Sequence, residues 1–397
     1  MKPVRGWRTA RRIGALLLLA MAAGELAACG LPSAGPTVSE MTAATKSGKN
    51  GGAQFALIDV DSAVVEKMSY WDTTSMKGTF GQQVPVSAQV IGVGDVIQIV
   101  VWEAATGGLF SPTGDRANPG SRSTVIPEQA VGPDGAVTVP FAGRVRVAGR
   151  SPQQVEGTIV TALTGKAVEP QVLVTVTKNI ANTVTVVGEV TGGARIPLTT
   201  RGDRILDVVA QAGGIKAPAH EIFVTLVRNG LSARIPMQAI LSTPAENIYV
   251  MPGDVISIAR EPQTFTAAGA TGQNSIVPFD AIGITLDQAI ARSGGLNDNR
   301  ADATGVYVIR YEQATDYDQL GYRRPDAMSL AQIPVVYRIN MREPNGFFLA
   351  RRFPVHNKDI LFVSNAPMAE VQKVMNVLIP VIGTGGTAAV VTSTVAR

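Results

Sequence analysis

The chain has one cysteine, Cys29, and two histidines, His220 and His356, among its 397 residues. A single cysteine excludes any intramolecular disulfide, so stability has to come from packed cores. Two histidines far apart, with no second cysteine, leave no set at zinc spacing, and no metal site is expected. The Gly-x-Ser-x-Gly elbow, the P-loop and the Gly-x-Gly-x-x-Gly fingerprint are all missing. No catalytic residue and no cofactor is expected. Carboxylates are plentiful, so counting alone does not dismiss a glycosidase pair. Aromatic residues make up only 5% of the chain. Val, Ile, Thr and Gly abound instead, which favours many short strands and turns over a helical bundle. A basic surplus is missing as well. The net charge is +4, but residues 1–28 hold five Lys/Arg and one acid, Glu25, leaving 30 basic and 30 acidic residues beyond them. Nucleic-acid binding needs a basic footprint, so no nucleic-acid partner is expected.

What is present begins at the N-terminus. Lys2, Arg5, Arg8, Arg11 and Arg12 precede an apolar run from Ile13 to Ala23, then Leu26-Ala27-Ala28-Cys29-Gly30. A basic region, an apolar region and small residues before a cut describe a secretory signal. A cysteine directly after them predicts a lipoprotein signal over 1–28, with the Cys29 thiol carrying lipid. Gly30 at the next position fits sorting to the outer membrane. Residues 30 to about 53, rich in Gly, Ser, Ala, Thr and Lys, read as a flexible tether, with order beginning near Phe55.

Gly92-Val93-Gly94-Asp95 is a tight turn feeding the apolar strand Val96 to Trp102. Gly132-Pro133-Asp134-Gly135 is a second turn. It opens a period-two stretch of Val137, Val139, Phe141, Val145 and Val147. Ser151-Pro152 starts a helix that puts Val155, Ile159 and Leu163 on one face. Pro170 to Val176 returns as a strand. These elements make one compact unit.

The chain then repeats itself. Val184 to Gly188 matches Phe265 to Gly269, Ile196-Pro197-Leu198 matches Val277-Pro278-Phe279, and Ile205 to Ile215 matches Leu286 to Leu296, all at an offset of 81. After a three-residue slip, Ile222-Phe223-Val224 matches Val306-Tyr307-Val308. Val250 to Ile258 matches Val355 to Val363. Each copy reads strand, strand, short helix, Gly-Gly, strand, strand. Gly213-Gly214 and Gly294-Gly295 supply positive φ where the helices end, and Thr285 with Gln288 suits a capping box. Residues between Tyr311 and Arg352 read as a surface insertion. Asp95, Asp254 (after Gly253) and Asp359 occupy equivalent turns, where a carboxylate accepting backbone N–H bonds suffices without catalysis. His220 and His356 read as surface residues.

The Gly-x-Gly-Asp-Val-Ile strand at 92–97, Gly135…Val139-Pro140…Gly143 and Pro170-Gln171-Val172 resemble the polysaccharide export domain. Val187 to Val190, Pro197, Ala212-Gly213-Gly214 and Pro252-Gly253-Asp254 resemble the soluble-ligand-binding β-grasp module. The order resembles that of the outer-membrane polysaccharide exporters of Gram-negative bacteria. The second copy departs at Ala267 to Ala270 and at Asn357-Lys358-Asp359. The fold class implied is α+β. The signal at 1–28 and an anchor, tether and N-terminal segment at 29–85 precede a β-rich export domain at 86–180. Two tandem β-grasp-like repeats follow at 181–262 and 263–365, then an amphipathic membrane helix at 366–397. The resemblance further implies a ring-shaped homo-oligomer, an octamer, that exports capsular polysaccharide or exopolysaccharide across the periplasm and outer membrane. It also implies outer-membrane lipid and an inner-membrane polysaccharide copolymerase as partners.

The C-terminal stretch is mostly apolar, with Gln372, Asn376, Gly383, Thr387 and Thr394 recurring at near-helical spacing. A helix over 366–397 would reach about 48 Å, enough to cross a hydrocarbon core of about 30 Å. Pro380 and Gly383 to Gly386 cost helicity and predict a kink. Residues alone allow a membrane crossing, a helix packed on its own domain or a frayed tail. The resemblance favours the crossing, with Gln372, Asn376, Thr387 and Thr394 facing a hydrated lumen. The competing reading is a periplasm-facing carbohydrate-binding lipoprotein without a channel.

Overall fold

The computed structural model describes residues 35–45, 55–69, 74–81, 90–104, 109–110, 123–322, 324 and 331–369. Cys29, Gln372, Asn376, Thr387 and Thr394 lie outside them, as does the predicted C-terminal helix beyond Ala369. Among the described residues no helix is long and apolar enough to cross a membrane.

Four N-terminal elements come first: α1 (Val38–Ala44), β1 (Ala56–Asp59), α2 (Ser62–Ser69) and α3 (Met76–Phe80). The export segment holds β2 (Val96–Trp102), β3 (Ser123–Ala130), β4 (Ala136–Val139), β5 (Gly143–Arg146), α4 (Pro152–Leu163) and β6 (Gln171–Lys178). The first repeat follows with β7 (Thr183–Gly188), β8 (Ala194–Pro197), α5 (Ile205–Gln211), β9 (Ile222–Arg228), β10 (Leu231–Pro236), α6 (Met237–Ser242) and β11 (Val255–Arg260). The second has β12 (Gln263–Gly269), β13 (Ser275–Phe279), β14 (Ile284–Thr285), α7 (Leu286–Arg292), β15 (Ala301–Gln313), α8 (Ala314–Leu320), β16 (Gln332–Ile339), α9 (Pro344–Arg352), β17 (Pro354–Val355) and β18 (Ile360–Asn365). They fall into two compact units. One comprises described residues from 71 to 263 with 278–283; the other comprises those before 71, 264–277 and those after 283.

In the first unit, β2 lies between β3 and β6 in an antiparallel sheet. Alternation along β2 turns Ile97, Ile99 and Val101 inward. There they join Val155, Ile159 and Leu163 of α4 in one core. The helix starts where the sequence places it. Ser151 Oγ accepts the Gln154 N–H and Gln154 Oε1 accepts the Ser151 N–H, with Pro152 at the first helical position. Phe141 departs from the period-two reading. It is 52% exposed, while Val137, Val139, Val145 and Val147 are buried. Its φ of 64° in the β4–β5 hairpin reverses the side-chain direction there.

The first repeat's sheet runs β10-β9-β11-β7-β8, with β7 and β11 parallel at its centre. Helix α3 packs on this repeat, adding Met76 and Phe80 to its core. Glu246 holds the start of that helix, accepting from Ser75 Oγ and the Met76 N–H, both at 2.7 Å. Glu246→Ala strands both donors and should cost about 1–2 kcal/mol, read as a lower urea midpoint.

The second repeat's sheet runs β1-β16-β15-β18-β12-β13. The order is that of the first repeat, with β1 added in parallel on β16. Strand β16 is therefore the counterpart of β10 and not part of a surface insertion. Ile333, Val335 and Tyr337 are fully buried; Pro334 within the run argues against a central strand in the sequence. The excursion proper is α8 and the connection to β16, and Tyr317 and Leu320 of α8 are themselves buried. Order begins before Phe55. In α1, Met41 joins Tyr307, Val336 and Phe362 in a core cluster, and Thr37 with Glu40 forms a capping box. Residues 37–44 resemble a tether in sequence because Met41 is the one buried side chain among them.

The registers also correct the slip in the repeat. Ile258 pairs with Val224 and Val363 pairs with Val306. Val224 thus corresponds to Val306, an offset of 82, and Arg228 corresponds to Arg310.

Candidate functional site

The three turn aspartates are buried, Asp95 at 0%, Asp254 at 1% and Asp359 at 1% exposure. They do different things. Asp95 accepts backbone bonds only: Gly92 N–H at 2.8 Å, Ile180 N–H at 2.7 Å and Ala181 N–H at 2.8 Å. It ties the Gly92–Gly94 turn, with Gly94 at φ 90°, to the chain between β6 and β7. A side chain at Gly92 would collide with the Ala181 methyl.

Asp254 and Asp359 each hold a buried arginine, as well as a backbone N–H three residues back. Asp254 Oδ2 accepts the Met251 N–H at 2.7 Å, and Asp359 Oδ2 accepts the His356 N–H at 2.8 Å. Arg228 donates Nε to Asp254 Oδ1 at 2.9 Å and Nη2 to Oδ2 at 2.6 Å, and Nη2 also reaches the Tyr249 carbonyl at 2.8 Å. Arg310 donates Nη2 to Asp359 Oδ2 at 2.7 Å and to the Pro354 carbonyl at 2.8 Å. Tyr249 and Pro354 are equivalent positions, so each repeat has the same clasp across its sheet. An aromatic ring covers each guanidinium. Phe80 of α3 lies 5.2 Å from Arg228, and Tyr337 and Phe353 lie 5.5 and 5.4 Å from Arg310.

The second clasp has more members. Glu312 Oε1 lies 3.5 Å from Arg310 Nη1 and accepts the Tyr337 hydroxyl at 2.9 Å. Burial pushes the Asp359 carboxyl up from its ordinary value, against the pull of Arg310. Burial, with Glu312 adjacent, pushes the Tyr337 phenol well up. His356 is half-buried and not a simple surface residue, because its Nδ1 lies 2.7 Å from Arg310 Nη1. His220 is the more exposed, its side chain 52% accessible.

The glycines around the clasps are matched too. Gly213, Gly214, Gly294 and Gly295 all have φ between 77° and 85°. The Gly192 N–H bonds the Ala212 carbonyl in one repeat, and the Gln273 N–H bonds the Ser293 carbonyl in the other. Gly253 at φ 87° has Lys358, at φ 69°, as its counterpart. That accounts for Asn357-Lys358-Asp359 in place of Pro-Gly-Asp: the turn keeps its left-handed residue without glycine. Asn357 Oδ1 then accepts the Thr264 N–H at 3.0 Å. Among the described residues no cluster of three or more His, Cys, Asp or Glu side chains is placed to hold a metal ion. The clasp arginines were the part sequence reasoning missed. Their signal was an arginine directly after an apolar run in both copies, Ile222 to Arg228 and Val306 to Arg310.

An α+β export segment followed by two clasped sheets of one topology defines a recognisable class. Residues 83–177 match the model for polysaccharide biosynthesis/export proteins, and residues 183–236 and 263–363 each match that of an SLBB domain. The chain belongs to the polysaccharide export protein family, whose members are transport components and not enzymes. It is 38% identical over 355 residues to the capsule polysaccharide export outer membrane protein CtrA of Neisseria meningitidis, covering 87% of this chain and 90% of that one. It is 34% identical over 368 residues to the capsule polysaccharide export protein BexD of Haemophilus influenzae, covering 89% and 92%. The Vi polysaccharide export protein VexA/TviF of Salmonella typhi is 28% identical over 289 residues, covering 71% and 75%.

Proposed function

We propose that this chain is an outer-membrane subunit for polysaccharide export, carrying capsular polysaccharide or exopolysaccharide through a ring of identical copies. The observation that carries this reading is similarity over nearly the whole of both chains to CtrA, named as a capsule polysaccharide export outer membrane protein. Lipid on Cys29 anchors each copy. The export domain faces an inner-membrane copolymerase. Residues 366–397 cross the outer membrane, with Gln372, Asn376, Thr387 and Thr394 turned toward water. A ring makes physical sense of that segment. A lone helix would leave its polar stripe in lipid, whereas neighbouring copies close the stripe around a lumen and keep backbone groups bonded internally.

Deleting 366–397 should leave a folded, lipidated protein that no longer supports secretion, with polymer held in the periplasm. Secretion at the parent level would sink the pore assignment. Cross-linking of intact cells should give discrete high-order homo-oligomers. Monomers only would favour the carbohydrate-binding lipoprotein instead.

A further inference from the structure

The two clasps differ at one position that can titrate. Met251 in the first repeat corresponds to His356 in the second, and both donate their N–H to the clasp aspartate. The His356 ring also meets Arg310 through Nδ1, at 2.7 Å from Nη1. A guanidinium has donors and no acceptor, so this contact requires Nδ1 to be bare and the ring neutral with its proton on Nε2. A second proton would set an N–H against an N–H. Imidazole is the side chain whose charge changes between pH 5 and 8.

The charged surroundings are mixed. From β15 come Arg310 and Glu312, and from β16 the Tyr337 hydroxyl, bonded to Glu312. The histidine's own turn contributes Asp359 and the exposed Lys358. Strand β17 also packs on β14 and α7, whose first turn carries Asp287, and it follows α9, which ends in the exposed Arg351 and Arg352. The nearby acids can keep a protonated ring close, but none of them relieves the clash at Nδ1. The ring has to turn away from Arg310.

We propose that His356 is a pH-sensitive latch on the second repeat. Neutral His356 accepts from Nη1 of the buried Arg310, whereas protonated His356 releases it and loosens the turn from Pro354 to Asp359. That turn leads directly into β18, the last strand before residues 366–397. The first repeat, with methionine at this position, has no such response.

Amide hydrogen exchange on the full-length protein, at pH 7.5 and pH 5.0 with intrinsic rates corrected, tests this with an internal control. Protection over 354–360 should fall about tenfold at the lower pH, the equivalent of one charge-assisted hydrogen bond. Protection over 249–255 should hold. His356→Gln, whose amide oxygen accepts from Arg310 without titrating, should keep 354–360 protected at both pH values. His356→Met should abolish the pH response of 354–360, as the methionine of the first repeat does. The latch is overturned if 354–360 and 249–255 respond alike, or if either His356→Gln or His356→Met keeps the pH response. The assay reads the turn and not transport, so its failure leaves the export reading standing.

Discussion

Alanine at Gly188 should unfold the first repeat at a much lower urea concentration than the parent. Gly188 ends β7, alongside Ile258 in the parallel pair with β11. A Cβ there would sit far inside van der Waals contact distance of the Ile258 carbonyl oxygen and 2.9 Å from the carbonyl carbon. That oxygen already accepts the Glu189 N–H at 2.9 Å, so it cannot move without losing that bond. The backbone is also left-handed, with φ 104°. Left-handed strain costs about 1–2 kcal/mol and forced overpacking about 1–3 kcal/mol, giving roughly 2–5 kcal/mol together. Gly269 occupies the equivalent place. It has φ 85°, and a Cβ there would crowd the Val363 carbonyl and come within 2.8 Å of the Phe362 ring. Its alanine variant should injure the second repeat similarly. Gly230 separates conformation from crowding, because it has φ 80° and a methyl added there would meet nothing within 4 Å. Gly230→Ala should cost only the strain of about 1–2 kcal/mol. Urea unfolding followed by hydrogen exchange in β7 and β11 measures both. Equal costs for Gly188→Ala and Gly230→Ala would refute the close-approach account.

The matched glycines explain why so much of this fold can be read from the sequence. Positive φ, helix caps and alternation are local requirements, and local requirements leave residue-type marks. Ser151-Pro152, the Gly-Gly pairs and the buried face of β2 were all legible for that reason. What was not legible depends on contacts distant in sequence. Strand β16 hid inside an apparent insertion because its identity comes from pairing with β15. Helix α1 looked like linker because one buried methionine, packed more than 260 positions away against Tyr307, Val336 and Phe362, fixes it. The three aspartates looked alike in the sequence, yet two hold arginines that lie 26 and 49 positions away. Once the registers set the offset at 82, the arginines align and the clasp is seen to be duplicated along with the fold.

That clasp makes the second large prediction. Arg228→Met should cost about 3–5 kcal/mol, because it leaves the Asp254 carboxylate buried without its cation. Asp254→Asn should also cost several kcal/mol. It keeps an oxygen for the Met251 N–H but leaves the guanidinium, with a side-chain exposure of 9%, uncompensated. The pair Arg228→Met with Asp254→Asn removes both charges, and the cost should shrink well below the sum of the two single changes. A double-mutant cycle from urea unfolding reads this as a coupling energy. Additive costs would mean that packing, not charge pairing, sets the penalty. Arg228→Lys distinguishes geometry from charge. Arginine reaches both Asp254 oxygens and the Tyr249 carbonyl from one planar group beneath Phe80. Lysine offers a single point of donation and loses the flat face. If planar bridging across β9, β11 and the preceding turn is what holds the sheet, lysine should recover less than half of the methionine loss. Full recovery would reduce the clasp to a simple charge pair.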